Sequence, residues 1–413
     1  MPETLRCRHC AAPLTRTLVD LGLSPLANSF VPPDRAAIPC PRYPLHARVC
    51  DRCFLVQVED AVPASAIFNE HYAYFSSFSE SWLAHCRAYA GQMVERLHLG
   101  PDDLVIEIAS NDGYLLQYFL ERGIPVLGVE PSANVAAAAE ARGVRTRVEY
   151  FGAATAERVR AEEKAPALVC AANVLAHVPD INDFACGIAT LLTGDAVFTV
   201  EFPHLLNLIA RVQFDTIYHE HYTYLSLLAV ERIFAAAGLR VFDVEKLETH
   251  GGSLRVFACL AGARHKEAAS VAALRAEEHA AGLDSPAGYA GFEARVRTVR
   301  DDLLAFLRKV RAEGKSVAAY GAAAKGNTLL NYCGVGTDLI GYCVDRSPAK
   351  QGKLLPGSHI PVLDVTALRD RRPDYVLVLP WNLRDEIAGQ LADITALGTR
   401  LVVPVPKLEV LSP

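Results

Sequence analysis

Residues 104 to 130, LVIEIASNDGYLLQYFLERGIPVLGVE, read as one repeating unit of a layered fold. LVIEIAS is a short apolar run with strand composition, GYLLQYFLERG carries helical spacing, and VLGVE is a second strand ending at Glu130. An Ala-rich helix, NVAAAAEARG, follows. Strands alternating with helices at this spacing make a parallel αβ sheet.

The loop between first strand and helix, Glu107-Ile-Ala-Ser-Asn-Asp-Gly113, is not GxGxxG. A dinucleotide site needs several glycines so that the backbone can approach a pyrophosphate, whereas one glycine among small polar residues suits a ligand without phosphate. Glu130, 17 residues beyond Gly113, stands where a carboxylate accepts from both hydroxyls of an adenosine ribose. Glu107, the turn Ser110 to Gly113 and Glu130 together fit S-adenosylmethionine better than NAD.

Leu168 to Asn173 is a further strand, and its exit NVLAHVPD puts Asn173 and His177 at the carboxyl edge, where open αβ sheets bind ligands. Helix 181–192 and strand 196–201 then deliver EFPHLLNLIARVQFDTIYHEHYTYLSL, Glu201 to Leu227, to the same edge. Tyr218, His219, Glu220, His221, Tyr222 and Tyr224 fall within seven residues there. Imidazole, carboxylate and phenol span the pKa range needed to remove a proton, orient the base and steady an oxyanion. Ser226 is expected to cap helix 227–237, and 239–245 with 253–259 form a terminal strand pair joined by THGGSLR, in which Gly251 and Gly252 permit close approach by a ligand.

Upstream, Ser79 caps a helix running to Leu97, and the strip Tyr72, Tyr74, Phe75 and Phe78 before it could line a pocket or staple the helix. Cys7-Arg-His-Cys10 and Cys50-Asp-Arg-Cys53 are two CxxC knuckles able to present four thiolates to a tetrahedral zinc, with His9, Cys40 and His46 as possible substitutes. Four thiolates leave no open position, so such a zinc is structural. The Pro and Gly content of Leu18 to Pro33 predicts an irregular, strand-poor lobe around it. Downstream, Lys266 to Glu313 reads as two helices divided at 282–286, and from Ser316 a second αβ unit begins. Its strand-to-helix turn Gly321 to Asn327 carries Lys325, whose ammonium, with the turn's amides, could hold a diphosphate.

A chain of 413 residues exceeds what one core serves, and 51% apolar with 21% charged residues is globular composition. A net charge of −6 without a Lys/Arg block excludes a nucleic-acid or anionic-membrane surface. No signal-peptide layout opens the sequence and no apolar run spans a bilayer, so the expectation is a cytoplasmic protein. Eleven cysteines in a reducing compartment point to metal ligation or buried thiols.

With the knuckles, IEIASNDGYLL, ANVLAHVPD, EFP, QFDTIYHEHYTYLSL, THGGSLRV and YGAAAKGNTLLNYCG in this order, the chain resembles the S-adenosylmethionine-dependent C-methyltransferases that act on nucleotide-linked deoxysugars in antibiotic pathways. The resemblance implies an α/β protein of three parts: a zinc-binding N-terminal lobe (1–68), a central class I methyltransferase domain of Rossmann-like fold (69–262), and a helical linker with a C-terminal Rossmann-like domain that holds the nucleotide sugar (263–413). It implies His221 as general base, Glu220 and Tyr218 beside it, and Tyr72 and His177 as contributors. The cofactor set is Glu107, Ala109, Ser110, Asn111, Gly113, Glu130, Pro131, Asn173 and Val174. Phe202, His204, Tyr222, Ser253, Lys325, Gly326 and Asn327 are the substrate set.

The chemistry implied is methyl transfer to a ring carbon, C3 beside a C4 ketone, of a dTDP-linked keto-deoxysugar. A carbon next to a ketone needs a positioned base to take its proton and donors to hold the enolate oxygen. Two other classes carry comparable parts. A nicotinamide-dependent sugar oxidoreductase is opposed by the missing GxGxxG, and a noncatalytic nucleotide-sugar binding protein by the intact YHEH cluster.

Overall fold

The patterned run from residue 104 to 260 closes into a seven-stranded sheet, seen in a computed structural model of the chain that describes residues 5–63 and 76–411. In chain order its strands are Val105–Ile108, Val126–Val129, Thr146–Arg147, Leu168–Ala172, Val197–Pro203, Leu239–Leu247 and Ser253–Leu260. Their spatial order is 3-2-1-4-5-7-6. The first five are parallel; the seventh is antiparallel to the fifth and to the sixth. The chain reverses its direction of travel between the first and fourth strands, which opens a crevice at their carboxyl ends.

Both faces are covered, so the strands are apolar throughout rather than alternating. Val105, Leu168, Cys170 and Val197 join the core under helix Glu80–Leu97. Ile106, Val169, Ala171 and Phe198 join the opposite core with helices Ile181–Leu191 and Leu227–Ala236. Ser79 caps the first of these helices, accepting from the Trp82 amide, and Ser226 caps the last through the Ala229 amide. The helix expected over 113–123 is reduced to Gln117–Leu120. Tyr114, Leu115 and Leu116 are all buried, and successive tight turns sink three consecutive side chains where a helix would turn one of them outward.

The zinc lobe corrects a second expectation. Arg16–Ser24 is a nine-residue strand paired antiparallel with Tyr43–Val49. Gly22, with φ of 73°, sits in a register shift between Asp20 and Leu23, so it bends the strand instead of ending it. Val56–Gln57 and Thr223–Tyr224 complete the sheet, the last strand coming from the segment that follows YHEH.

The C-terminal unit is a six-stranded sheet, parallel but for its last strand: Val362–Leu363, Tyr342–Val344, Val317–Tyr320, Tyr375–Val378, Arg400–Val403 and Glu409–Val410 in spatial order. The linker helices part company. Val271 and Leu274 of helix Ala269–Ala280 pack into the central core, while helix Phe292–Ala312 packs with the C-terminal sheet and the lobe strands. Glu278, fully buried, accepts from the amides of Leu227 and Leu228 and from His204 Nε2.

Under the crevice, Glu201 and Arg255 face each other across the fifth and seventh strands at 2.7 Å, each under a tenth exposed. His85 Nε2 lies 2.8 Å from the other Glu201 oxygen, and Glu245 and Gln92 take the remaining guanidinium hydrogens. Paired this way, the carboxylate stays ionised despite burial, which alone pushes its pKa up. Arg255→Leu leaves Glu201 buried without its counterion and is expected to cost about 3–5 kcal/mol, read as a lower urea midpoint with methyl-donor-independent loss of the folded near-ultraviolet signal.

Candidate functional site

Both cysteine knuckles have the same local form. Ala11 and Phe54, each one residue past the second cysteine, adopt left-handed φ of 57° and 58°, and their amides return to the carbonyls of Cys7 and Cys50. This folds each pair so that the four Sγ atoms lie within 4.8 Å of one another, with Cys7 to Cys53 and Cys10 to Cys50 both at 3.5 Å. A tetrahedral zinc with thiolates at about 2.3 Å sets its sulfurs about 3.8 Å apart, so the four residues fit the metal. Gln57 Nε2 and the Arg52 amide donate to Cys7 and Cys50 Sγ, as partners of zinc-bound thiolates do. The alternatives are engaged elsewhere: His9 with Asn182, His46 with Thr17, Cys40 beside His359.

At the crevice, the turn after the first strand is held in an uncommon conformation, with φ of 56° at Ala109 and 48° at Asn111. Gly113 has φ of 76°, and a Cβ there would stand 2.9 Å from Val144 Cγ2. Glu130 braces the turn, accepting from the Asn111 amide at 3.1 Å and the Ser132 amide at 2.9 Å, with Pro131 between. Burial raises its pKa and these amides oppose the rise. Across the crevice Asn173, with φ of 57°, precedes Val174, and both are half-buried. Ser110 Oγ, packed against Gly128 of the second strand, and Asn173 Oδ1 are buried without a hydrogen-bond partner. Glu107 differs from the rest of its set. It is completely buried beside the Tyr114 hydroxyl, and burial pushes its pKa well up.

The YHEH loop sets His221 at the crevice. Its Nδ1–H donates to the Thr216 carbonyl at 2.9 Å, which leaves Nε2 as the lone-pair nitrogen, and the Tyr218 hydroxyl donates to that nitrogen at 2.9 Å. The His177 ring meets it edge-on with centroids 4.7 Å apart. Burial, then the neighbouring His177, pushes the His221 pKa well below the ordinary imidazole range, so it is unprotonated at neutral pH. Burial also lowers His177 to about 4. Glu220 turns the other way, toward the zinc lobe, where Asn28 Nδ2 donates to it at 2.7 Å and burial raises its pKa to about 7. Tyr72, with Tyr74 and Phe75, lies outside the described residues.

The expected substrate set divides. Lys325 reaches the same place from the C-terminal unit: its Nζ donates to Asn382 Oδ1 at 2.6 Å, lies over the Trp381 ring at 4.5 Å, and its charge depresses both His221 and His250. The others make protein contacts, with Tyr222 Oη and Asn327 Oδ1 left buried without a hydrogen-bond partner. Phe202 is fully buried, His204 pairs with Glu278, Ser253 Oγ donates to the Thr249 carbonyl, and Asn327 Nδ2 donates to the Ala27 carbonyl. Tyr222 is buried under the Arg8 guanidinium. A Cβ on Gly326 would strike Leu379, and one on Gly251 would strike Trp381, so these glycines admit protein rather than ligand. The Ala322 amide in the Lys325 turn is taken by Asp345.

Several residues escaped the sequence reading: Asn28, Asp215, His250 and Trp381. Trp381 Nε1–H donates to Asp215, which burial raises to about 6. His250 alone had a signal in the sequence, its place immediately before Gly251-Gly252, and all three adopt positive φ.

Three family descriptions match successive parts of the chain: a zinc binding domain over residues 7–68, a methyltransferase domain over 82–244, and a C-methyltransferase C-terminal domain over 248–406. The C-methyltransferase NovU of Streptomyces niveus is 38% identical over 406 residues, covering 98% of this chain and 96% of that protein. Among solved structures, an S-adenosylmethionine-dependent methyltransferase from Clostridium acetobutylicum ATCC 824 overlaps 44% of this chain and 92% of its own at 12% identity and a TM-score of 0.36. Magnesium protoporphyrin IX methyltransferase from Synechocystis PCC 6803 overlaps 43% and 81% at 14% identity and a TM-score of 0.33.

Two outcomes test the geometry. Purified protein is expected to carry one zinc per chain by elemental analysis, and Cys10→Ser to lose most of it. For Glu220 the folded pKa of about 7 lies above the ordinary carboxyl value of 4.5, so the folded state binds the extra proton between those values and stability falls as pH rises through that window. Glu220→Gln removes this dependence. Its stability relative to the parent protein should climb by about 1–3 kcal/mol from pH 4.5 to 7, measured by denaturation at a series of pH values.

Proposed function

The chain belongs to the C-methyltransferase family, and on that premise we propose that it transfers a methyl group from S-adenosylmethionine to a ring carbon, C3, of a dTDP-linked 4-keto-deoxysugar, with His221 as general base. The observation that carries this reading is the His221 imidazole, oriented by the Thr216 carbonyl with Nε2 as its lone-pair nitrogen and the His177 ring against it. The three parts of the reading are a zinc-binding lobe at 1–68, the methyltransferase domain at 69–262 and a nucleotide-sugar-binding unit at 263–413. No helix of the described residues is long and apolar enough to cross a membrane, and the reading places the work in the cytoplasm.

In this reaction the C3–H bond breaks, its proton passes to His221 Nε2, and its electron pair moves into the enolate with charge on the C4 oxygen. S-adenosylmethionine, when bound, supplies the electrophilic methyl that the carbanion takes. The chain's own residues do the rest. Tyr218 surrenders its bond to Nε2 as the substrate C–H enters, and the Thr216 carbonyl keeps the imidazole oriented while it gains charge. An imidazole as depressed as this one is a weak base. A diphosphate near Lys325 offsets the ammonium whose field helps depress it, so the substrate's own charge strengthens the base that acts on it. Glu130 and the Asn111 turn are assigned to the ribose and amino acid ends of the cofactor, with Asn173 opposite.

The test separates proton removal from methyl transfer. In deuterated buffer without methyl donor, the parent protein should exchange the C3 proton of the dTDP-linked 4-keto-deoxysugar, followed by proton NMR. His221→Ala should lose that exchange by about 10²–10⁴-fold; undiminished exchange in the variant would remove His221 from the role.

A further inference from the structure

Every donor around the crevice must be accounted for before the enolate oxygen has a partner. Tyr218 gives its hydroxyl hydrogen to His221 Nε2 until the substrate enters and is then released as a donor beside the base, and the Lys325 ammonium is directed at Asn382 and the Trp381 ring. His250, at the turn between the sixth and seventh strands, is arranged differently. Asn173 Nδ2, an amide nitrogen that can only donate, lies 3.1 Å from His250 Nε2, so Nε2 accepts and the ring proton resides on Nδ1. Nδ1 makes no hydrogen bond to the described residues and is not among the enclosed unpartnered atoms, so it is left accessible to a ligand.

The backbone aims this ring. His250 has φ of 54°, and Gly251 and Gly252 continue in positive φ at 88° and 109°. Trp381 and Asn207 fill the space that side chains at those glycines would need, and Gln213 Nε2 donates to the Gly251 carbonyl at 2.8 Å. The Trp82 ring packs against the imidazole at 5.3 Å between centroids. Burial and the Lys325 charge keep the ring neutral, with a pKa near 4. A neutral imidazole N–H fixed before the charge develops is what stabilises an oxyanion without gaining or losing a proton.

We infer that His250 is a catalytic residue whose Nδ1–H donates to the enolate oxygen of the substrate, opposite the base, a role that rests on the enolate reading above. Asn173 thereby becomes a positioning residue: its amide selects the tautomer that makes the donor.

Asparagine and aspartate at position 250 separate the donor from the shape. Both tolerate left-handed backbone and both place a polar atom near the Nδ1 position, but only asparagine can donate. Full-length His250→Asn and His250→Asp are compared with the parent for C3 deuterium exchange in the dTDP-linked 4-keto-deoxysugar, with S-adenosylhomocysteine present, and for melting temperature. The expected result is exchange within about tenfold of the parent for asparagine and a loss of about 10²–10³-fold for aspartate, with similar melting temperatures. Equal exchange in the two variants, whether retained or lost, would overturn the role of the donor. Absence of exchange in the parent protein would instead overturn the enolate reading itself, and this inference with it.

Discussion

The strand ladder between the zinc lobe and the YHEH segment is the constraint on which the rest of the molecule depends. Val56 pairs with Tyr224, Gln57 with Thr223, and the Val58 amide reaches the Tyr222 carbonyl. On its other side the same short strand touches the metal site, since the Gln57 side chain bonds Cys7 Sγ. A chain of direct bonds therefore runs from the thiolates to the segment holding His221. A two-residue strand has no stability alone, and here it is held by the metal knuckles behind it. Four thiolates leave a zinc there no open position, and the ladder ties the knuckles that would hold it to the segment carrying His221.

The lobe is also the wedge between the two larger units. Leu18, Val19 and Leu45 share a core with the C-terminal sheet, whereas Cys7, Cys50 and Leu55 share one with the central sheet. Asn28 holds Glu220, the Ala27 carbonyl holds Asn327, and Val31 bridges to Leu354. The crevice is thus bounded by three units whose mutual position is set through a segment of the smallest. The central and C-terminal units also meet directly, through Trp381 to Asp215 and Thr328 to the Ile217 carbonyl.

Local patterns carried the large architecture. Apolar runs placed the long strands of the central sheet and helical spacing most of its helices, though not Ala153–Glu162, and the CxxC spacing singled out the four cysteines that converge. What stayed hidden depends on partners distant in sequence. The Pro and Gly content of Leu18 to Pro33 suggested an irregular lobe, and only the neighbours of Gly22 across the sheet show a bulged strand. His204 and His221 are the same residue type some 17 positions apart, one locked against Glu278 and the other opening to the crevice, and nothing adjacent to either distinguishes them. The Asn28 contact to Glu220 spans 192 residues. His250 was visible as part of THGGSLR, but its glycines suggested ligand approach, where the structure fills the space with Trp381 and Asn207.

Glu278 has an implication for anyone recombining such enzymes. It belongs by position to the linker, yet it supplies the hydrogen-bond acceptors for the first amides of helix Leu227–Ala236 and the partner of His204, both in the central unit. A chimera joined at residue 262 exchanges that carboxylate together with the C-terminal half, leaving a buried helix start and a buried imidazole dependent on a foreign side chain. The natural seam lies one helix later, near Gly282, where the chain turns away from the central core. Grafts made there carry the cap with the helix it serves, and only the second linker helix changes hands.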